Sequence, residues 1–161
     1  MQVQHLTQQL KFIIQYYNNL KKNKKMKTFS RTIELTEAQI EGLNTGSPVP
    51  LTLLSAPATG KAFVLTGAQL WKTAGAAATA GTGEIIISYG SDTNGVMQFS
   101  NVDASTGALG DNAQDRIQIA SHLSNAVAAN GATVSISANA AIACATGTTA
   151  KIKLDCQLID L

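Results

Sequence analysis

The chain has 161 residues, of which 45% are hydrophobic, 14% are charged and only 5% are aromatic. That length is sufficient for one domain with a hydrophobic core, and the hydrophobic content excludes a chain that is disordered over its whole length. Because aromatic residues are so few, the core must be filled by Val, Ile, Leu and Ala. Such cores give flat surfaces and few deep, aromatic-lined pockets, which disfavours an enzyme that acts on a small molecule.

Charge is distributed unevenly along the chain. Residues 1–31 hold seven basic residues and no acidic one, whereas residues 32–161 hold five basic and ten acidic residues, a net charge near −5. This asymmetry predicts either a basic arm that meets an acidic partner, such as nucleic acid, an anionic membrane or a protein face, or a solvated lysine-rich linker. No stretch reaches the roughly 18 apolar residues that span a bilayer, and no signal-peptide pattern is present. We therefore expect a soluble protein that is made in the cytoplasm.

Residues 3–20 carry the clearest helical pattern in the chain. Their apolar residues are spaced alternately by three and four positions, as in a seam between two helices. A helix this short needs tertiary support, so its stripe must dock on its own domain, a sister subunit, a membrane or another protein. With the lysines that follow, the stripe forms the predicted assembly interface: Val3, Leu6, Leu10, Ile13, Tyr17, Leu20, Lys21, Lys22, Lys24 and Lys25.

The domain boundary is placed at the end of this arm. We predict a basic amphipathic arm over residues 1–27 and a β-domain over residues 28–161. One alternative remains open, because the lysine-rich stretch Lys21–Lys27 surrounds Met26. Translation that starts at Met26 would make residues 1–25 an untranslated leader and would remove the arm.

From Thr28 onwards the pattern becomes that of short β-strands. After the first strand, Thr36 and Gln39 form a capping box that predicts a short helix over Glu37–Leu43. The predicted strands are Thr28–Leu35, Val49–Leu54, Lys61–Trp71, Glu84–Tyr89, Val96–Phe99, Ile117–Ala120, Ala132–Ser137, Ala140–Ala145 and Ala150–Leu161. Ile117–Ala129 is alternatively a short helix. Strands this short, separated by Gly, Ser, Thr and Asn turns, predict an all-β fold, namely an antiparallel, jelly-roll-like β-sandwich.

No motif assembles into an active site, and we expect no catalytic residue, cofactor or metal. Ser121 and His122 are adjacent, but nothing marks the third group that would orient a histidine as a base. Ser55–Ala62 superficially looks like a phosphate-binding loop, yet it lacks the first glycine, and Ala62 stands where Ser or Thr would hold Mg²⁺. The segment Pro57–Gly60 is instead predicted to be a hairpin turn.

Two further groups of residues were weighed for chemistry. Asp103, Asp111 and Asp115 do not have the spacing of a calcium-binding loop, which predicts a solvated acidic loop. Cys144 and Cys156 lie on either side of a turn-like stretch. They form either a disulfide between neighbouring strands or a pair of buried thiols. The low cysteine content favours the thiols.

One segment resembles a known class of protein. The stretch from Leu35 to Lys61 is similar to the opening of small virion proteins of bacteriophages and prophages, which have a strand, the pattern LT-x-x-Q-I-x-x-L, an apolar strand and A-P-x-x-G-K. This stretch covers about a sixth of the chain, and its matching residues are Leu35, Thr36, Gln39, Ile40, Leu43, Leu51–Leu54, Ala56, Pro57, Gly60 and Lys61. The resemblance implies a β-sandwich subunit of a virion: a decoration protein, a minor capsid or vertex protein, or a head-fibre or spike base.

The resemblance also implies an oligomer, with a trimer favoured, that assembles with other virion proteins. The arm would then reach a neighbouring subunit, an internal membrane or the packaged genome. The alternative is a receptor- or glycan-binding module on the virion surface, without a small-molecule substrate in either case. A glycan site needs an exposed aromatic platform, for which Trp71, Tyr89, Phe63 and Phe99 are available. An exposed Trp71 beside polar loops would favour this alternative, and a buried one would count against it.

Overall fold

The computed structural model describes residues 26–44, 50–76, 83–90, 95–104, 107–110, 117–123, 130–142 and 144–161. Within these ranges the chain forms nine strands and one short helix. They are β1 (Lys27–Thr36), α1 (Glu37–Glu41), β2 (Leu51–Leu54), β3 (Lys61–Ala74), β4 (Ile85–Tyr89), β5 (Met97–Phe99), β6 (Ile117–Ile119), β7 (Ser121–His122), β8 (Val134–Ala138) and β9 (Thr149–Asp160). In this part of the chain, no helix is long and apolar enough to cross a membrane.

The strands form two antiparallel sheets that enclose one apolar core. Sheet A has the order β1-β9-β3-β6, and sheet B has the order β2-β8-β4-β5-β7. The predicted all-β class and the sandwich are therefore confirmed. The pairs β1 with β9, β2 with β8, β3 with β6 and β4 with β5 are nested, as if one long hairpin had been folded over on itself.

The sandwich is closed on one side and open on the other. β6 lies at the edge of sheet A and β7 at the edge of sheet B, and only Ala120 separates them along the chain. The chain therefore turns the corner between the sheets at this point. The other two edges, β1 and β2, belong to the open side.

Strand β9 shows why these residues form a half-buried sheet. Ile152, Leu154 and Cys156 point into the core and are fully buried, whereas Lys151 and Lys153 alternate with them on the outer face. Successive side chains of a strand point to opposite faces, so an alternating sequence places its apolar half inside.

Strand β3 is interrupted by a β-bulge. Its register with β9 shifts between Leu65 and Gly67, which leaves Thr66 as an extra residue. A single extra residue reverses which positions of the strand face the core. The Leu65 N–H donates a hydrogen bond to the Tyr89 hydroxyl of sheet B at 3.0 Å, and the Thr66 hydroxyl donates to the Asp155 carbonyl at 3.0 Å. Both sheets therefore stabilise the bulge.

The predicted capping box is present at α1. The Gln39 N–H donates to the Thr36 Oγ1 at 3.3 Å, and the Thr36 N–H donates to the Gln39 Oε1 at 2.9 Å. Ile40 and Leu43 are buried against the core. The helix ends at Glu41, two residues before the predicted end, and a turn completes it.

Three local predictions are corrected by the fold. Pro57–Gly60 is not a hairpin turn, because β2 belongs to sheet B and β3 to sheet A, so this segment connects the two sheets. Gly60 turns the chain there with a φ of 79°, which favours glycine. Ala140–Ala145 forms no strand in its described residues. Ile117–Ile119 and Ser121–His122 are strands, so the alternative helix does not include them, and residues 124–129 of that prediction lie outside the described residues.

Candidate assembly surfaces

The predicted assembly interface of the arm lies outside the described residues. This applies to all ten of its residues: Val3, Leu6, Leu10, Ile13, Tyr17, Leu20, Lys21, Lys22, Lys24 and Lys25. The described chain begins at Met26, which is exposed and directly precedes the edge strand β1. The described candidates for assembly are therefore surfaces of the β-domain.

The outer face of sheet A is the broadest of these surfaces. Two rows of side chains cross all four strands on it. One row is Glu34, Lys151, Trp71 and Ile117, and the next is Thr32, Lys153, Gln69 and Ile119. The lysines have acidic neighbours, with 3.6 Å between the Lys151 Nζ and the Glu34 Oε1 and 3.4 Å between the Lys153 Nζ and the Asp155 Oδ1. The charges are thus paired on β1 and β9, and the apolar residues lie towards β6.

These apolar residues, Trp71, Ile117 and Ile119, form a contiguous surface that we name the β6 patch. Ile117 is 56% exposed and Ile119 is 73% exposed, while Trp71 is half-buried between Lys151 and Ile117. Isolated exposed apolar residues are common on proteins, but neighbouring large ones mark sites of interaction.

Strand geometry fixes the orientation of the β6 patch. Gln118 lies between the two isoleucines and points to the other face of the sheet. Its Oε1 accepts a hydrogen bond from the Ala108 N–H at 3.1 Å, and its Nε2 donates to the Ser100 carbonyl at 2.6 Å. Because this amide is held on the inner side, both isoleucines must face outwards.

The open side of the sandwich is a second candidate surface, but a charged residue on its edge strand disfavours the addition of another strand. All ten residues of β1 pair with β9 without a register shift, so β1 is a long edge strand. Such an edge attracts the strands of other chains unless charges discourage them. Arg31 is exposed on the inner side of β1, between the half-buried Phe29 and Ile33. This inward charge disfavours strand addition and makes the β6 patch the stronger candidate.

The aromatic residues do not form a platform for a glycan. Tyr89, Phe63 and Phe99 are buried in the core. Trp71 is half-buried on the sheet face beside Ile117 and Lys151, so it is neither the exposed aromatic residue that a glycan site needs nor a core residue. Its surroundings therefore do not favour the glycan-binding alternative.

The residues weighed for chemistry occupy separate positions. Ser121 and His122 form the exposed strand β7, where the Ser121 hydroxyl donates to the Gln98 carbonyl at 3.3 Å. Asp103 is buried and accepts a hydrogen bond from the Gly83 N–H at 2.8 Å, so the prediction of a solvated loop is wrong for this residue. Asp111 and Asp115 lie outside the described residues. Where the structure does describe the chain, no group of three or more His, Cys, Asp or Glu side chains is arranged to hold a metal ion.

Both cysteines are free thiols. Cys156 is buried on the inner face of β9, and Cys144 is half-buried. Burial raises the pKa of each thiol to about 11, with smaller contributions from Glu41 and Glu37 near Cys144 and from Asp155 near Cys156. Because the thiolate is the reactive form, both thiols should react slowly at neutral pH.

Lys72 is a buried residue that the sequence analysis missed. It is fully buried on the inner face of sheet A, and its Nζ donates to the Ala76 carbonyl at 3.2 Å. Simple alternation from Phe63 would place Trp71 inside and Lys72 outside, and the bulge reverses both. Gly67 was the available signal, because a glycine within a strand pattern indicates a bulge.

The comparisons with known proteins add little to this geometry. No protein-family model matches the chain, and no curated protein matches it. The chain is similar to one in the solved structure described as "Acidic stable capsid structure of Helicobacter pylori bacteriophage KHP30", with a TM-score of 0.43 and 14% identity, over 86% of this chain and 93% of that one. Similarity at this level carries no argument about fold or function.

Proposed function

We propose that this protein is a structural component of a bacteriophage virion that acts through protein–protein assembly and is not an enzyme. The β6 patch is the observation that carries this proposal. It places two β-branched side chains, more than half exposed, on the flat outer face of sheet A. Apolar groups arranged in this way are stabilised when a partner removes them from water.

The residues of the resembling segment support the virion context. Leu35, Ile40 and Leu43 are buried, and Thr36 and Gln39 cap α1. The pattern shared with small virion proteins is thus made of residues that build this fold. The resemblance therefore favours a shared scaffold over a chance match of surface residues.

The nested strand pairing supports a finer proposal, a jelly roll. That architecture occurs in viral capsid domains, in lectins and in some enzymes, so it supports a virion role by analogy alone. A flat sheet with one apolar corner suits a shell-bound subunit such as a decoration, minor capsid or vertex protein, or a spike base. We propose a homotrimer in contact with other virion proteins.

Particle incorporation tests the proposal. Particles from a phage or induced prophage that encodes this chain would be banded on a density gradient, and the chain would be quantified in the band by mass spectrometry. We expect it to band with the particles. We also expect Ile119→Asp to lower its amount there by at least about tenfold, because a buried charge without a partner opposes association.

A matched variant controls for the added charge. Thr32→Asp places the same charge on the same face, in the row that contains Ile119 but on the opposite edge strand. It should leave incorporation unchanged, and circular dichroism should show that both variants are folded. If the wild-type chain stays in the soluble fraction while particles band without it, the virion role is wrong.

A further inference from the structure

We infer that the β6 patch of one copy receives the apolar stripe of the N-terminal arm, residues 3–20, from a neighbouring copy. The inference deepens the proposed assembly role and rests on it. The exposed large hydrophobic residues of the described chain are Met26, Ile117, Ile119 and Leu161. Ile117 and Ile119 lie on one face of the same strand, in adjacent rows beside Trp71, whereas Met26 precedes β1 and Leu161 follows β9.

The arm is long enough to reach such a site. A helix over residues 3–20 would be about 27 Å long. Residues 21–26 would add an extended linker of up to about 20 Å. The spacing of the six apolar residues of the stripe, from Val3 to Leu20, would place them on one face of such a helix, where they would need an apolar surface to cover them.

The attachment point lies diagonally opposite the patch. Met26 precedes β1, at one edge of sheet A, and the patch lies at the other edge around β6. Lys27 pairs with Leu158, whereas the row of Trp71 and Ile117 contains Glu34. The two sites are thus separated by about 23 Å along the strands and by two to three strand spacings of about 5 Å each.

This diagonal placement favours docking on a neighbouring copy. To reach the patch of its own copy, the arm would cross the half of the outer face that carries Ser30, Asp155 and Gln157. The Ser30 hydroxyl already donates to the Asp155 carboxylate there. Covering these polar groups with the stripe would remove them from water without new partners, which is unfavourable. An arm that arrives over the β6 edge from another copy avoids this cost.

Charge and symmetry are consistent with exchange between copies. The first 31 residues are basic and the remainder carries a net charge near −5, so the arm of one copy is attracted to the domain of the next. The arm and the patch are different surfaces, so the contact is heterologous, and such contacts form a ring when the rotation from copy to copy closes. A ring of three would form the proposed trimer.

Trp71 provides a direct test, because it is the only tryptophan of the chain and belongs to the patch. The acceptor is the full chain with Leu10→Ser and Ile13→Ser, which keeps Trp71 but disables the stripe. The donor is the full chain with Trp71→Phe, which keeps the stripe but emits no tryptophan fluorescence. Adding excess donor should lower acrylamide quenching of the acceptor at least about twofold and shift its emission to the blue.

Two controls are matched to this mixing experiment. A donor that also carries Leu10→Ser and Ile13→Ser should give no protection. A donor that also carries Gln9→Ser, on the polar side of the stripe, should protect as well as the original donor. For the wild-type chain, quenching of Trp71 should increase on dilution as neighbouring copies separate.

Each other outcome overturns the inference. A donor without effect would show that the stripe does not reach the patch. If acrylamide quenching of Trp71 in the wild-type chain does not change with concentration, the arm covers the patch of its own copy. If Trp71 of the acceptor alone is as well protected from quenching as that of the wild type, two β-domains contact each other without the arm. If the Leu10→Ser and Ile13→Ser chain still bands with particles in normal amounts while docking fails, the virion role stands and only this inference falls.

Discussion

The two halves of β3 are continuous and pair with the same strand, β9, but they differ in which alternate positions face the core. In the first half, Phe63 and Leu65 face the core, whereas in the second half Ala68, Leu70 and Lys72 do. One unpaired residue between them changes which positions are inside. The difference shows that a surface can be created by a shift in register, without any change in the alternating composition of the strand.

This shift links the fold to the proposed function. If Thr66 paired with β9 as an ordinary strand residue, Trp71 would point into the core and Lys72 would reach solvent. With it, Trp71 joins Ile117 and Ile119 on the outer face, and Lys72 is fully buried. The β6 patch therefore depends on a bulge five residues away along β3.

The largest expected effect comes from shifting the second half of β3 by one residue. Deleting Thr66 would not do this, because Leu65 and Gly67 already pair with the consecutive residues Cys156 and Asp155 of β9. Inserting one alanine between Ala68 and Gln69 would instead present Leu70 to solvent and Trp71 to the core. Because this half of the core would be lost, we expect no cooperative thermal unfolding transition by circular dichroism.

Thr66→Ala is the matched control within the same strand. It keeps the residue count and loses only the hydrogen bond to Asp155, so it should cost about 1 kcal/mol. An insertion variant that melts like Thr66→Ala would show that folding does not require this register.

Two adjacent residues sharpen the comparison between inside and outside. Leu70 is fully buried and Trp71 is half-buried on the outer face. We expect Leu70→Ala to lower the free energy of unfolding by about 2–5 kcal/mol, as for large core residues that leave a cavity. Trp71→Ala should cost only about 1 kcal/mol despite the larger side chain, since surface positions contribute little. Denaturant titrations would measure both, and a larger loss for Trp71→Ala would contradict the assigned register.

The hydroxyl of Tyr89 tests how the bulge is held. Tyr89→Phe removes the acceptor of the Leu65 N–H and leaves a buried donor without a partner. An unsatisfied buried donor costs about 1–3 kcal/mol, which denaturant unfolding would detect. Tyr89→Phe and Thr66→Ala remove hydrogen bonds from adjacent residues of the same bulge, so the cost of the double variant should differ from the sum of the two single costs. Additive costs would show that Tyr89 does not act through the bulge.

The smallest expected effect is a loss of stability at alkaline pH, caused by the Cys156 thiol beside the bulge. Cys156 pairs with Leu65, and burial raises the pKa of its thiol from 9.0 to about 11. A raised pKa means that the stabilisation is complete below pH 9 and is lost as the pH rises towards 11. Cys156 should therefore account for about 1 kcal/mol of lost stability at pH 10. Cys156→Ala should show a smaller loss between pH 8 and 10 than the wild type; an equal loss would assign the effect to other groups.

The features that were predictable from the sequence are local. The capping box of Thr36 and Gln39 needs only four consecutive residues, and it forms as predicted. The uninterrupted alternation at the C-terminus likewise predicted β9 to within a residue at each end. In both cases neighbouring residues provide the interactions that decide the structure.

The features that were missed depend on distant partners. The Pro57–Gly60 turn looked like a hairpin because strand pairing cannot be read from a turn alone. Ala140–Ala145 has the apolar content of a strand, but Ile142 is buried near Gly83, where it packs into the core and does not pair with another strand. The burial of Lys72 was missed because the bulge before it is held by Tyr89, which lies 24 positions away from Leu65. The β6 patch was missed for the same reason, since its composition is that of any buried strand.

The register of β1 with β9 has a mechanical consequence. Lys27 is paired with Leu158, so a pull that separates these two ends would load the ladder one pair at a time, like a zipper. A subunit held by its arm at Lys27 and by its patch near Ile117 is pulled along the strands instead, because these points lie at opposite ends of sheet A. All ten pairs of the ladder then resist together in shear. If the two proposed contacts form, their diagonal placement directs tension along the strands, the direction in which the subunit resists most strongly.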